Sequence, residues 1–243
     1  MLDELFAGSI ADALTRRETA PIDKVEKAAL SQSPALNALE FLAPSDQIKI
    51  LAEVKRASPS RGDLAEIRDP AELAEIYASN GASAISVLTE MRRFKGSLED
   101  LKAVRASVSV PLLRKDFIAT EYQILEARAF GADIVLLIVA GLEQKVMKRL
   151  KVFIEQLGMT AFIETHDAAE LDRALRAQIA VGKQTADQRG EVNQRGEAAI
   201  DAVGGRVGKQ EMLGQIERQQ GAHAVIAESL PHLGGEQARQ LAG

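Results

Sequence analysis

Ile50-Leu51-Ala52-Glu53-Val54-Lys55-Arg56-Ala57-Ser58-Pro59-Ser60-Arg61-Gly62 is the stretch whose reading decides the fold. An apolar run ends in a carboxylate and an amine two residues apart, and a Ser-Pro-Ser turn follows. On a strand, residues two apart point to the same side, so Glu53 and Lys55 share a face. Two opposite charges on one face at a strand end are unusual in a plain core. In a barrel of parallel strands that face looks into the mouth, where such folds place their chemistry.

The same rhythm repeats downstream. Asp69-Pro70 with Glu72 is a helix start, combining a cap, a proline at the first helical position and an early acid. Ala84–Leu88 reads as a strand, and a helix through Leu98, Leu101 and Val104 follows it. Val110–Leu113 is the next strand, ending in Arg114-Lys115-Asp116-Phe117. Thr120 with Gln123 forms a capping box. Residues 133–138 are apolar without alternation, as in a strand covered on both faces. Residues 142–157 are helical, Thr160–Glu164 is a fifth strand, and a helix begins near Asp167. Strand and helix alternating at this pitch build a parallel sheet. No Gly-rich dinucleotide fingerprint follows the first strand, which favours a barrel over an open nucleotide-binding sheet.

Upstream, Leu2, Leu5, Phe6, Ile10, Ala13 and Leu14 are spaced for a helix, and Ile22, Val25 and Ala29 for a second, shorter one. Residues 1–45 therefore read as a helical extension on a single (β/α)8 TIM-barrel domain spanning 1–243, and Arg16-Arg17 as a solvated face. Downstream the rhythm weakens. Residues 178–182 are a sixth strand by composition and Ala202-Val203 or Arg206-Val207 a seventh, whereas residues 222–227 make a better eighth. Residues 183–220 hold seven glutamines and few large apolar side chains.

Bulk composition narrows the function. With 30 basic and 35 acidic residues the net charge is −5, which gives no general surface for nucleic acid or an anionic membrane. There is no cysteine, hence no disulfide and no thiolate metal site. His166, His223 and His232 are scattered, so no metal is expected; His166 itself reads as a polar residue at a helix start. No apolar stretch approaches the roughly 20 residues that cross a bilayer, and Met-Leu-Asp-Glu does not open a signal peptide. The expectation is a cytoplasmic protein, monomeric or weakly self-associating, with a small-molecule ligand and no cofactor.

Lys55, Lys115 and Glu164 end three different strands, the way a barrel assembles an active site. An ammonium can protonate a carbonyl or hydroxyl oxygen, and a carboxylate can shuttle the compensating proton. Glu53 would fix Lys55 and keep it charged, with Asp116 as a similar neighbour for Lys115. Ser58 and Ser60 with nearby backbone N–H groups offer an anion cradle. Phe94 and Phe117 offer walls for an aromatic ring. The bland alternatives are a rim ion pair at Glu53 and Lys55, a surface pair at Lys115 and Asp116, and simple packing for the two phenylalanines.

In these stretches the chain resembles the indole-3-glycerol phosphate synthase family of tryptophan biosynthesis. The resemblance is carried by residues 52–62, by Ser86-Val87-Leu88-Thr89-Glu90, Phe94-Lys95-Gly96-Ser97-Leu98 and Leu113-Arg114-Lys115-Asp116-Phe117, and by Glu126-Ala127-Arg128-Ala129 with Gly131-Ala132-Asp133. It is strong over residues 1–178. It implies a (β/α)8 barrel acting on a phosphorylated aromatic substrate, carboxyphenylamino-deoxyribulose phosphate, without cofactor or metal. Ring closure would be followed by loss of carbon dioxide and water. Lys115 resembles the general acid at the carbonyl and Glu164 the acid–base of later steps. Lys55 resembles a substrate contact and second proton donor partnered by Glu53. Ser58 resembles a contact to the substrate carboxylate, Ser229 one to substrate, and Phe94 and Phe117 pocket residues. The chain departs from the family after residue 178. A Gly-Val-Asn-x-Arg-like motif is replaced by Ala180-Val181-Gly182-Lys183-Gln184-Thr185. The Glu-Ser-Gly of the seventh strand has no counterpart at Gly205-Arg206-Val207 or Lys209-Gln210-Glu211. Glu228-Ser229-Leu230 follows Ile226-Ala227 without the usual glycine. A catalytically impaired barrel that binds such a metabolite or a pathway partner is the alternative reading. A sugar-phosphate isomerase is a more distant one.

Overall fold

The computed structural model describes residues 1–43, 45–46, 48–60, 62–64 and 66–177, with the backbone of 224–226. Its elements run α1 (Leu2–Thr19), α2 (Ile22–Leu30), α3 (Ala38–Leu42), β1 (Leu51–Val54), the short hairpin β2 (Ala57–Ser58) and β3 (Gly62–Asp63), then α4 (Pro70–Ser79), β4 (Ala84–Leu88), α5 (Leu98–Ser107), β5 (Leu112–Lys115), α6 (Glu121–Ala129), β6 (Ile134–Ile138), a 3₁₀ turn over Val139–Gly141, α7 (Gln144–Gln156), β7 (Thr160–Thr165), a helix α8 over residues 168–177, and β8 (Ala224–Ile226). The architecture is the (β/α)8 barrel with N-terminal helices.

The strand order β1-β4-β5-β6-β7 is parallel throughout. β4 and β6 are buried along their whole length, as strands sandwiched between a barrel interior and a helix layer must be. Capping residues start the helices where the sequence placed them. The Asp69 carboxylate accepts from the N–H of Ala71 and Glu72, and Thr120 and Gln123 form both arms of their capping box. β5 begins two residues later than the sequence suggested. Pro111 has no N–H to give, although its carbonyl still accepts from Ile85, and the strand instead takes in Arg114 and Lys115.

Of the expected eighth strand, Ala224–Ile226 forms β8, but it runs antiparallel to β7, pairing Ile163 with Ile226 and Thr165 with Ala224. An eighth barrel strand would run parallel between the seventh and the first. Apolar content reports an extended segment but not its direction, which the connecting chain decides. The expected sixth and seventh strands and Ser229 lie outside the described residues.

The extension is part of the packed structure. Phe6, Ser9 and Ala13 of α1 are buried, whereas Leu14 is 57% exposed. The inward face is thus rotated from the purely apolar stripe and carries polar groups. Arg16 is not a free solvated cation, because its guanidinium meets the buried Glu126 carboxylate at 2.6 and 2.8 Å. Val25 and Ala29 of α2 pack with Ala13 against Tyr122 and Leu125 of α6, and the Tyr122 hydroxyl donates to the Ala20 carbonyl. Below the sheet, the Asp133 carboxylate accepts from the N–H groups of Leu36 and Leu112 and from Arg105, tying the extension to the strand starts.

Candidate active site

Register puts the candidate groups on one face. Glu53 lies opposite Ser86, Ser86 opposite Leu113, Leu113 opposite Ile134 and Ile134 opposite Thr160. Lys115 stands two residues beyond that level on β5, Glu164 four beyond it on β7, and Lys55 two beyond it, one residue past the end of β1. An even offset keeps each on the same face, the barrel interior, at the C-terminal ends of the strands.

Glu53 is the hub. One carboxylate oxygen holds the Lys55 ammonium at 2.5 Å and the other holds Lys115 at 2.7 Å. The side chains are 24% exposed for Glu53, 32% for Lys55 and 36% for Lys115, so the cluster is enclosed yet open to a ligand. Burial is the largest influence on Glu53 and by itself would raise its pKa. The nearby Lys115 charge and hydrogen bond, with those of Lys55, outweigh it and hold the carboxyl below its ordinary value. Asp116 does not pair with Lys115. It faces the other side of the chain and is 5% exposed. Its carboxyl is also held low: burial is again the largest effect and opposes this, but Arg114 and the hydroxyls of Thr89 and Ser9 prevail.

Glu164 is brought to the same face but has its own partner. His166 Nε2 lies 3.1 Å from Glu164 and Nδ1 lies 3.1 Å from Glu170. His166 precedes α8 as a helix-start residue should, and the Asp167 carboxylate caps that helix by accepting from the Glu170 N–H. Ser58 sits on β2, opposite Gly62 in the hairpin that directly follows Lys55 and Arg56. The Arg56 guanidinium grips Asp100 at 2.5 and 3.1 Å and so fastens the foot of this hairpin to α5.

Phe94 and Phe117 meet with ring centroids 6.1 Å apart, and Phe117 also meets Phe6 of α1 edge-on at 5.5 Å. Sequence reasoning missed what positions them. The buried Glu90 carboxylate accepts from three successive N–H groups, those of Arg92, Arg93 and Phe94, and shapes the loop that presents Phe94. The same loop closes at Gly96, where a Cβ would fall 2.1 Å from the Leu88 carbonyl oxygen. An acid followed by a Gly-containing turn was the available signal. Among the described residues no cluster of three or more His, Asp or Glu side chains could hold a metal ion, and no helix is long and apolar enough to cross a membrane.

A (β/α)8 barrel with two lysines and a shared carboxylate inside its strand ends belongs to the class of barrel proteins that build their site from several βα junctions. The indole-3-glycerol phosphate synthase family model matches residues 2–182. The synthase of Leifsonia xyli subsp. xyli is 60% identical over 174 residues, covering 72% of this chain and 67% of its own. That of Beutenbergia cavernae is 52% identical over 177 residues, covering 73% and 66%. That of Mycolicibacterium smegmatis is 54% identical over 181 residues, covering 74% and 66%. The chain belongs to the indole-3-glycerol phosphate synthase family. It spans about two thirds of the length of the curated relatives it matches.

Proposed function

We propose that the protein is a carboxy-lyase that closes the indole ring of indole-3-glycerol phosphate, within one barrel domain over 1–243 whose residues 1–45 form the extension. The observation that carries this reading is Glu53 bridging Lys55 and Lys115 on the inner face of strand ends, in a chain matched to the family through residue 182. The anthranilate ring carbon attacks the ribulose carbonyl carbon. Lys115 gives its proton to the carbonyl oxygen as that bond forms, carbon dioxide leaves the ring carbon, and the resulting hydroxyl leaves as water. Glu164 moves the proton of the last step, and Lys55, aligned by Glu53, contacts the substrate and supplies a second acid. Ser58 serves the substrate carboxylate, Phe94 and Phe117 flank the aromatic ring, and Ser229 would serve the substrate's other end.

Purified protein incubated with carboxyphenylamino-deoxyribulose phosphate should give the fluorescence of indole-3-glycerol phosphate. Lys115→Ala should lower the rate by at least about 10²-fold, the usual worth of a general acid. A Lys115→Ala rate near that of the parent would remove Lys115 from its role. The departures after residue 178 favour a second reading, a barrel that binds such a metabolite without turning it over. Saturable binding with no product at high protein concentration would decide for it.

A further inference from the structure

β5 ends at Lys115, so the turn that follows the candidate acid has no sheet ladder to hold it. Side chains hold it instead. Arg114 and Asp116 alternate with Lys115 and face the helix layer, with Arg114 fully buried. Asp116 Oδ1 accepts from Ser9 Oγ at 2.8 Å and from the Phe117 N–H at 2.8 Å. Its Oδ2 accepts from Thr89 Oγ1 at 2.7 Å and from Arg114 at 2.9 Å. Arg114 also donates to Thr89 Oγ1 and to the Gln123 carbonyl. Gln123 Nε2 donates to Ser9 Oγ at 2.9 Å and to the Phe117 carbonyl at 3.1 Å.

Each hydroxyl in this circuit donates once and accepts once, and the Asp116 carboxylate accepts two bonds on each oxygen. Phe117 is pinned at its N–H by Asp116 and at its carbonyl by Gln123, while its ring rests on Phe6. A buried network in which both hydroxyls and both carboxylate oxygens are fully engaged resists the shift of one member alone. From α1, Ser9 is the residue that hydrogen-bonds directly into this circuit; Phe6 touches it only through the Phe117 ring, and Arg16 only by way of Glu126, 3.5 Å from Arg114.

We propose that Ser9 and Asp116 are positioning residues through which α1, once seated, fixes the strand end bearing Lys115 and the Phe117 ring. This rests on the reading of Lys115 as the acid of the site.

The test measures Lys115 itself in the full chain. Ser9→Ala removes one bond to Asp116 and the acceptor for Gln123, and Ser9→Thr restores a hydroxyl. Amine labelling of the folded protein, read by peptide mass spectrometry, should speed up at Lys115 by about fivefold in Ser9→Ala, the equivalent of one lost hydrogen bond. The exposed Lys102 and Lys145 should label at unchanged rates, and Ser9→Thr should return Lys115 toward the parent rate. Where turnover is measurable, kcat should fall more than KM rises. Unchanged Lys115 labelling in a Ser9→Ala protein with a lowered unfolding midpoint would mean that Ser9 only fastens α1, and would overturn the proposal. Absence of turnover in the parent would count against the synthase reading alone, because the labelling result stands without it.

Discussion

At the scale of single residues, Glu53 has the most to lose. Among the described residues it is the one carboxylate touching both lysines, and Glu53→Gln would leave two ammoniums without their shared counter-charge. In the proposed reaction the rate should fall by about 10²-fold, since neither of the proposed donors is then held in place. The pH consequence has a definite sign. Glu53 and Asp116 are both held below their ordinary carboxyl values in the fold. Their stabilising contribution is therefore complete above the unfolded values, about 4.3 for Glu and 3.9 for Asp, and is lost as pH falls through the lower folded values. Urea unfolding between pH 7 and 3 should show stability falling on that acid limb, and more shallowly in Glu53→Gln. An identical acid limb in the variant would remove Glu53 as a contributor. The sequence showed Glu53 and Lys55 as partners because they are two apart on one strand. It did not show that Lys115 shares the same carboxylate, because that contact crosses 62 residues and depends on register.

At the scale of elements, the packing of α1 on the barrel is sharply determined at one spot. A Cβ on Gly141, in the turn after β6, would stand 1.9 Å from the Phe6 ring. Gly141→Ala should therefore push Phe6 off Phe117 and cost about 1–3 kcal/mol, as overpacking does. Phe6→Ala alone should cost about 3 kcal/mol or more through its cavity. The double variant should cost clearly less than the sum, because removing the ring makes room for the methyl. Additive losses in chemical unfolding would show that the two do not meet. Helix starts at Asp69 and Thr120 were legible because caps are local. The buried face of α1 was not, since Ser9 and Arg16 are polar and turn inward only to meet Asp116 and Glu126 from distant parts of the chain. The direction of β8 was hidden for the same reason, as pairing is a property of two strands and a sequence pattern describes one.

At the scale of the whole molecule, the family match ends at residue 182 while the chain runs to 243. The groups that move protons in the proposed reaction all precede that boundary. By the family resemblance, a substrate-positioning Asn-x-Arg and a Glu-Ser-Gly that gives a catalytic carboxylate and part of a phosphate cradle would fall after it, and these patterns are absent there. A phosphate dianion needs close backbone donors and complementary charge, and single preorganised donors are each worth about 10²–10³ in rate. The parent chain should accordingly show kcat/KM at least about 10²-fold below the Leifsonia xyli relative, with the deficit in KM as well as kcat. Replacing residues 183–243 with the segment that follows the matched region in that relative should recover most of the difference, because Glu53, Lys55, Lys115 and Glu164 are already in place at the strand ends. If the parent matches the relative without the graft, residues after 182 supply a substrate hold of their own. If the graft folds and stays slow, the lysine and carboxylate cluster is itself the deficient part, and the metabolite-binding reading gains over catalysis.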